Sequence, residues 1–183
     1  DLIIAAYRSQ TAAFVAGENL AALQQAAGTE PEDIVVITRD QSGRVSIHQS
    51  IDLATGAPLA GGRWGALIGL MFLDKRKPTP GAKGLAAQFR AAGLDDKFLQ
   101  DAVRSLTNSG GVVGMRVRLL GKDRVIEKLE SLKGSPKLLW TRLSPDAEEA
   151  LFDMQGQIPE PALGQDYAAL SVLARWTDLA TRR

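Results

Sequence analysis

The chain has no cysteine and one histidine among its 183 residues, and these two absences exclude several classes of protein. Without cysteine there is no disulfide, no thiolate nucleophile and no cysteine-ligated metal, while the redox compartment stays open. The single histidine, His48, excludes a metal site built from several histidines. Because His48 falls on a candidate edge strand, we expect it to be a surface side chain rather than a catalytic one.

Recognisable catalytic and phosphate-binding motifs are also missing. The glycine pairs that begin at Gly61 and Gly110 lack the strand and lysine context of a phosphate-binding loop. Asp95, Asp96 and Asp101 are better explained as a helix cap followed by a solvated helix face than as a paired acid and base. We therefore expect a protein that is not an enzyme and that needs no cofactor or metal.

Long apolar runs are scarce, and only residues 56–73 approach the length that spans a bilayer. This glycine-striped segment reads GAPLAGGRWGALIGLMFL, and its length of about 18 residues is at the lower limit for a membrane span. On a helix, Gly61, Gly65 and Gly69 form one smooth stripe that lets another backbone approach closely. The segment therefore indicates either a membrane helix or a close helix contact.

The sequence that follows argues against a membrane hairpin. Residues 74–84 are rich in lysine, proline and glycine, and such a stretch does not cross a bilayer. We therefore expect the stripe to be buried against protein or to lie at an interface. The predicted interaction residues are Gly61, Trp64, Gly65, Ile68, Gly69, Phe72, Lys75, Arg76, Lys77 and, near the end of the chain, Trp176.

Charge is segregated along the chain although the net charge is only +1. Residues 1–55 hold three basic and seven acidic side chains, a net charge of −4. Residues 56–142 hold sixteen basic and seven acidic side chains, a net charge of +9. Residues 143–183 hold three basic and seven acidic side chains, again a net charge of −4. A basic centre suits binding to an anionic lipid surface, to nucleic acid or to an acidic partner. Alternatively, the acidic ends of the chain fold back over the basic centre and neutralise it. We do not expect a nucleic-acid partner, because the strand face that carries Arg116 and Arg118 lacks aromatic side chains on which bases could stack.

Hydrophobic periodicity predicts two β-α-β units, at residues 2–38 and 112–143. The run 34–38 and the alternating run 44–50 flank an Asp-Gln-Ser-Gly turn and predict a β-hairpin. Two such units are the halves of a ferredoxin-like sandwich. We therefore predict an α+β fold with a five-stranded, mostly antiparallel sheet.

Helix boundaries can also be predicted. Ser9 or Thr11 can cap the first helix and Gly28 ends it, Asp95 belongs to a later cap, and Pro145 suits the first turn of another helix. The domain covers residues 1–155 with residues 56–93 inserted as the glycine-rich excursion. Residues 156–183 are predicted to be a linker and an amphipathic tail helix.

The stretch from the hairpin to the apolar segment resembles a known family. Its pattern is Arg39-Asp40-Gln41-Ser42-Gly43, then Asp52-Leu53, then Gly-Gly-Arg-Trp-Gly-Ala-Leu-Ile-Gly-Leu-Met-Phe-Leu at 61–73. This is similar to the bacterial family named domain of unknown function twelve-sixty-nine, described as predicted membrane proteins. The resemblance implies a ferredoxin-like body with a glycine-rich hairpin and implies no activity. In that family the second hydrophobic arm of the hairpin is rich in glycine, alanine and leucine. Residues 75–84, which occupy its place here, are instead rich in lysine, proline and glycine.

These observations favour a non-enzymatic assembly, scaffold or accessory protein. We expect it to associate through the glycine-striped segment with copies of itself, with a membrane protein complex or with an anionic membrane surface. The alternative is a small-ligand-binding sensor, because paired α+β sandwiches bind small molecules at shared edges. Since the apolar run at residues 2–6 is too short for a signal-peptide core, we expect a cytoplasmic protein. Association with a membrane surface would place it at the periphery of the inner membrane.

Overall fold

A computed structural model describes residues 1–28, 34–49, 67–69, 71–72, 88–156 and 167–168. Residues 67–69 and 88–91 are helical. The strands are β1 (Leu2–Tyr7), β2 (Ile34–Arg39), β3 (Val45–Gln49), β4 (Gly111–Arg116), β5 (Lys137–Thr141) and β6 (Tyr167–Ala168). The longer helices are α1 (Gln10–Ala27), α2 (Asp96–Ser105), α3 (Lys122–Ser131) and α4 (Pro145–Gly156).

The strands form one sheet in the order β5-β1-β4-β2-β3-β6, and every neighbouring pair is antiparallel. Strands of the two β-α-β units alternate in the first four places, so the units interleave instead of standing side by side. The predicted hairpin is present, since β2 and β3 pair from Val35 with Gln49 to Arg39 with Val45. The α+β class and the antiparallel sheet are therefore confirmed.

Both faces of the sheet are covered. Strands β1, β2 and β4 are buried at every residue, as expected of apolar strands with packing on both sides. One face packs against α1 and α3 through residues that include Leu20 and Val125. The other face packs against α2, α4 and the apolar residues Leu67, Ile68, Met71 and Phe72. The sheet is therefore the middle layer of three.

The helix ends follow the predicted signals. Ser9 caps α1 by accepting a hydrogen bond from the Ala12 amide, and Gly28 ends it with a φ of 61°. Positive φ is inexpensive for glycine, so a Gly at this position stops the helix cleanly. Asp95 and Ser144 accept the amide hydrogen bonds that cap α2 and α4.

Two elements differ from the prediction. The alternation of apolar residues at 112–120 predicts a strand over that whole run, but β4 ends at Arg116. Backbone pairing continues one residue further, since Val117 and Asp1 exchange hydrogen bonds. At residues 167–168 the predicted start of the tail helix is instead strand β6, which pairs with Ser46 and Ile47 of β3. β3 would otherwise be an edge strand with unpaired backbone N–H and C=O groups, and pairing with residues 167–168 provides hydrogen-bond partners for some of them. The rest of the predicted tail helix lies outside the described residues.

Candidate association site

The described part of the glycine-striped segment lies in the core of the domain. Leu67, Ile68, Met71 and Phe72 have exposed fractions of 1%, 2%, 7% and 0%. All four belong to the apolar cluster on the sheet face that also receives α2 and α4. This end of the segment therefore packs on the protein's own sheet.

Gly69 is held directly against β3. A Cβ added at Gly69 would lie 2.5 Å from Cδ1, 2.7 Å from Cγ1 and 2.9 Å from Cγ2 of Ile47. Carbon atoms pack at about 3.5–4.0 Å, so only glycine fits at this position without movement of Ile47. At this residue, therefore, glycine lets the helical turn at 67–69 approach β3 closely.

The sheet contributes a glycine of its own to the same contact. A Cβ at Gly114, in the middle of β4, would lie 3.1 Å from Cγ2 of Ile68 and 3.2 Å from both Cδ1 of Ile4 and Cγ1 of Val35. Glycine in a strand interior marks a close approach of another element. Gly114 leaves the space into which Ile68 packs, so the two surfaces are complementary.

The predicted interaction residues divide into two groups. Ile68, Gly69 and Phe72 are described, and all three are buried inside the domain. The other seven lie outside the described residues: Gly61, Trp64, Gly65, Lys75, Arg76, Lys77 and Trp176. Their role in contacting a partner stays a prediction.

An exposed tryptophan forms a second feature that the sequence analysis did not single out. Trp140 on β5 is 48% exposed, and the Nζ atom of Lys122 lies 3.6 Å from the centroid of its ring. Leu119 and Phe152 are also exposed, at 60% and 62%. The available signal was a tryptophan in a strand beside Lys137 and Arg142, a composition more typical of a surface than of a core.

The acidic residues near α2 work as helix and surface groups. Asp95 caps the helix, the Nε atom of Arg90 lies 3.4 Å from Asp96, and Lys97 donates a hydrogen bond of 3.1 Å to Asp101. That hydrogen bond lowers the pKa of the Asp101 carboxyl. Across the described residues, no three acidic or histidine side chains come close enough to hold a metal ion.

His48 is half-buried rather than fully exposed. Its Nε2 lies 3.0 Å from Oγ1 of Thr38, and the ring of Phe14 meets it edge to face with centroids 4.9 Å apart. These contacts pack the histidine between β2 and α1. His48 therefore has a structural role, since it connects the β2–β3 hairpin to α1.

Together, the fold and this site define a three-layer α+β protein with a glycine-containing apolar segment packed on its sheet. The chain belongs to the family described as Protein of unknown function (DUF1269), whose model matches residues 58–155, more than half of the sequence. No curated protein and no solved structure matches the chain. The helices described here include none that is both long and apolar enough to cross a membrane.

Proposed function

We propose that the protein is a non-enzymatic assembly or accessory protein that associates with itself, with a membrane protein complex or with an anionic membrane surface. The observation that supports this best is the close seat of Gly69 on Ile47. With Ile68 and Phe72 buried beside it, one end of the segment has a defined place on the body. A contact surface binds more tightly when a rigid support orders it beforehand.

The burial of Ile68, Gly69 and Phe72 divides the segment into two parts. Buried side chains serve the fold, so partner binding falls to Gly61, Trp64 and Gly65 and to the basic run that starts at Lys75. Gly61 and Gly65 precede Gly69 by eight and four residues, and small residues of this kind allow close helix contacts. Lys75, Arg76 and Lys77 supply positive charge for an acidic protein or an anionic headgroup.

The alternative, a small-ligand sensor, would have to bind its ligand at a sheet edge rather than on the faces of the central strands. In the described ranges, apolar side chains cover both faces of β1, β2 and β4. The central strands therefore offer a small molecule no open sheet face within these ranges.

The test is light scattering coupled to size exclusion, with and without detergent, together with flotation on vesicles of neutral or anionic phospholipid. We expect self-association, or binding to anionic vesicles, that Gly65→Leu weakens. Ala22→Leu is the matched control, because Ala22 is an exposed residue of α1 that also becomes leucine. Circular dichroism checks that both variants are folded.

Charge reversal at Lys75, Arg76 and Lys77 tests the basic run. Its control is the same change at three basic residues of the described surface, namely Arg104, Lys128 and Lys133. Loss of association in the first triple variant alone supports the proposal. A detergent-independent monomer that ignores both kinds of vesicle contradicts it.

A further inference from the structure

The two ends of the sheet are treated differently. At one end β3 is paired with β6 from the chain's own C-terminal region. At the other end β5 pairs with β1, and none of the described strands lies on its outer side. An exposed edge strand presents unpaired backbone groups that can accept a strand from another polypeptide. The β3 edge already accepts a strand in this way, although that strand, β6, belongs to the same chain.

The β5 edge carries an ordered aromatic side chain. Trp140 is 48% exposed, and the ammonium of Lys122 lies 3.6 Å from its ring centroid. A cation over the indole face attracts it electrostatically and favours one ring position. Tryptophan held in a fixed position at a partly open surface is a common anchor of protein interfaces. Leu119, three residues before Lys122 and 60% exposed, adds apolar surface.

Positive charge brackets this strand. Residues 116–142 contain eight Lys or Arg and three Asp or Glu, so their net charge is 8 − 3 = +5. Lys137 begins β5 and is exposed. Arg142 follows β5 with its side chain 83% exposed and its Nε 3.9 Å from Asp1, a pairing that solvent weakens. A partner for this edge therefore has to be acidic.

The same charges disfavour a second copy of the chain at this edge. An antiparallel β5–β5 pair centred between Leu139 and Trp140 would set Lys137 opposite Arg142 twice. Like charges directly opposite each other destabilise a strand pair. This register therefore disfavours a second copy at the edge, and no strand of the described residues pairs with the outer side of β5.

We propose that β5 is a docking edge for an extended, acidic segment of a partner protein. The segment adds to the sheet as a strand beside β5 and rests an apolar side chain on Trp140. Its alternating carboxylates then lie on the opposite face of the strand, which is the face of Lys137, and Arg142 adds positive charge just after β5. The β5 edge lies toward the opposite end of the sheet from β3, on which Gly69 is seated, so it provides the assembly protein with a second kind of contact. Main-chain hydrogen bonds supply affinity, and Trp140 and the flanking charges supply selectivity.

The probe is a fluorescein-labelled peptide of about ten residues that alternates glutamate with valine, the length of a long strand. Two comparison peptides replace valine by glycine, which removes strand propensity, or glutamate by lysine, which reverses charge. Fluorescence anisotropy with the full chain should show binding of the first peptide and at least about tenfold weaker binding of the other two. Amide hydrogen exchange should slow at residues 137–141 when the first peptide is bound.

Variants locate the site. Trp140→Ala, and separately Lys137→Glu with Arg142→Glu, should weaken peptide binding by about tenfold or more. Phe152→Ala is the control for an exposed aromatic. Arg44→Glu with Arg90→Glu is the control for charge, because both residues are exposed and lie outside residues 116–142. Both controls should stay within about twofold of the unmodified chain. Equal binding of the glycine peptide, unchanged exchange at β5, or full binding by Trp140→Ala overturns the proposal. So does binding to anionic vesicles that Trp140→Ala abolishes, which would assign the surface to lipid.

Discussion

Gly69 lies against the side chain of Ile47, closely enough that a single added methyl group would overlap three of its carbon atoms. The two residues are far apart in sequence, on an apolar segment and on the hairpin strand β3. Their contact joins the inserted segment to the sheet. It shows that the glycine stripe, at its last residue, serves the fold of the body.

Gly69→Ala should therefore destabilise the domain. Overpacking a well-packed core costs about 1–3 kcal/mol, and alanine recovers up to about 1 kcal/mol by its higher helix propensity. We expect a net loss of about 1–2 kcal/mol in the free energy of unfolding, measured by urea titration. Ile47→Val removes Cδ1, the nearest of the contacting atoms, so the cost of Gly69→Ala should shrink in that background. An unchanged cost would contradict this account of the contact.

Local signals in the sequence were enough to predict most of the elements and their ends. Ser9, Gly28 and Asp95 cap or stop helices through hydrogen bonds to residues within four positions of themselves, so their roles can be recognised from nearby residues. The hairpin could be predicted for the same reason, because its turn and its two strands are adjacent in the sequence. The alternation of apolar residues also identified the two β-α-β units.

Contacts between distant residues could not be predicted in this way. The seat for Gly69 is made by Ile47, and the space for Ile68 is left by Gly114, so no local pattern reveals either. An apolar run with a glycine stripe suits both a membrane helix and a core helix. The exposure of Trp140 depends on β5 being the last strand of the sheet, which is a property of strand order rather than of local sequence.

Asp95→Ala tests the helix cap at α2. Oδ2 of Asp95 accepts a hydrogen bond of 3.0 Å from the Phe98 amide, and loss of such a cap costs about 1 kcal/mol. Asp96→Ala is the matched control, because the pair between Asp96 and Arg90 is about half exposed and should contribute less than about 0.5 kcal/mol. Asp95→Ser should recover most of the loss. Equal effects of the two alanine variants in urea titration would contradict the capping role.

Asp101 should make stability depend on acid pH. The hydrogen bond from Lys97 lowers the pKa of Asp101 below its ordinary value of 3.8, so the unfolded chain takes up this proton first as pH falls. The stabilisation is present above the unfolded pKa and is lost as pH drops through the folded pKa. Carboxyl NMR titration should show the pKa of Asp101 rising in Lys97→Gln and not in Lys133→Gln. A pKa of Asp101 that does not respond to Lys97→Gln would exclude this pairing in solution.

Tyr7 should make stability fall at alkaline pH. Its hydroxyl is buried without a hydrogen-bond partner among the described residues, and burial raises the pKa of Tyr7 from 10.0 to about 12. Since the unfolded chain loses this proton first, the contribution is present below the unfolded pKa and disappears as pH rises through the folded pKa. The full difference is on the order of 2 kcal/mol.

Tyr7→Phe removes the ionisable hydroxyl and keeps the ring that packs near Gly134. Because the hydroxyl has no described partner to lose, the variant should be as stable as the unmodified chain at neutral pH, or slightly more stable. Urea titrations at several values between about pH 9 and pH 12 should then show a shallower loss of stability for Tyr7→Phe. Parallel curves for the two proteins would show that Tyr7 titrates normally in the folded state, and a large loss at neutral pH would show that its hydroxyl is hydrogen-bonded.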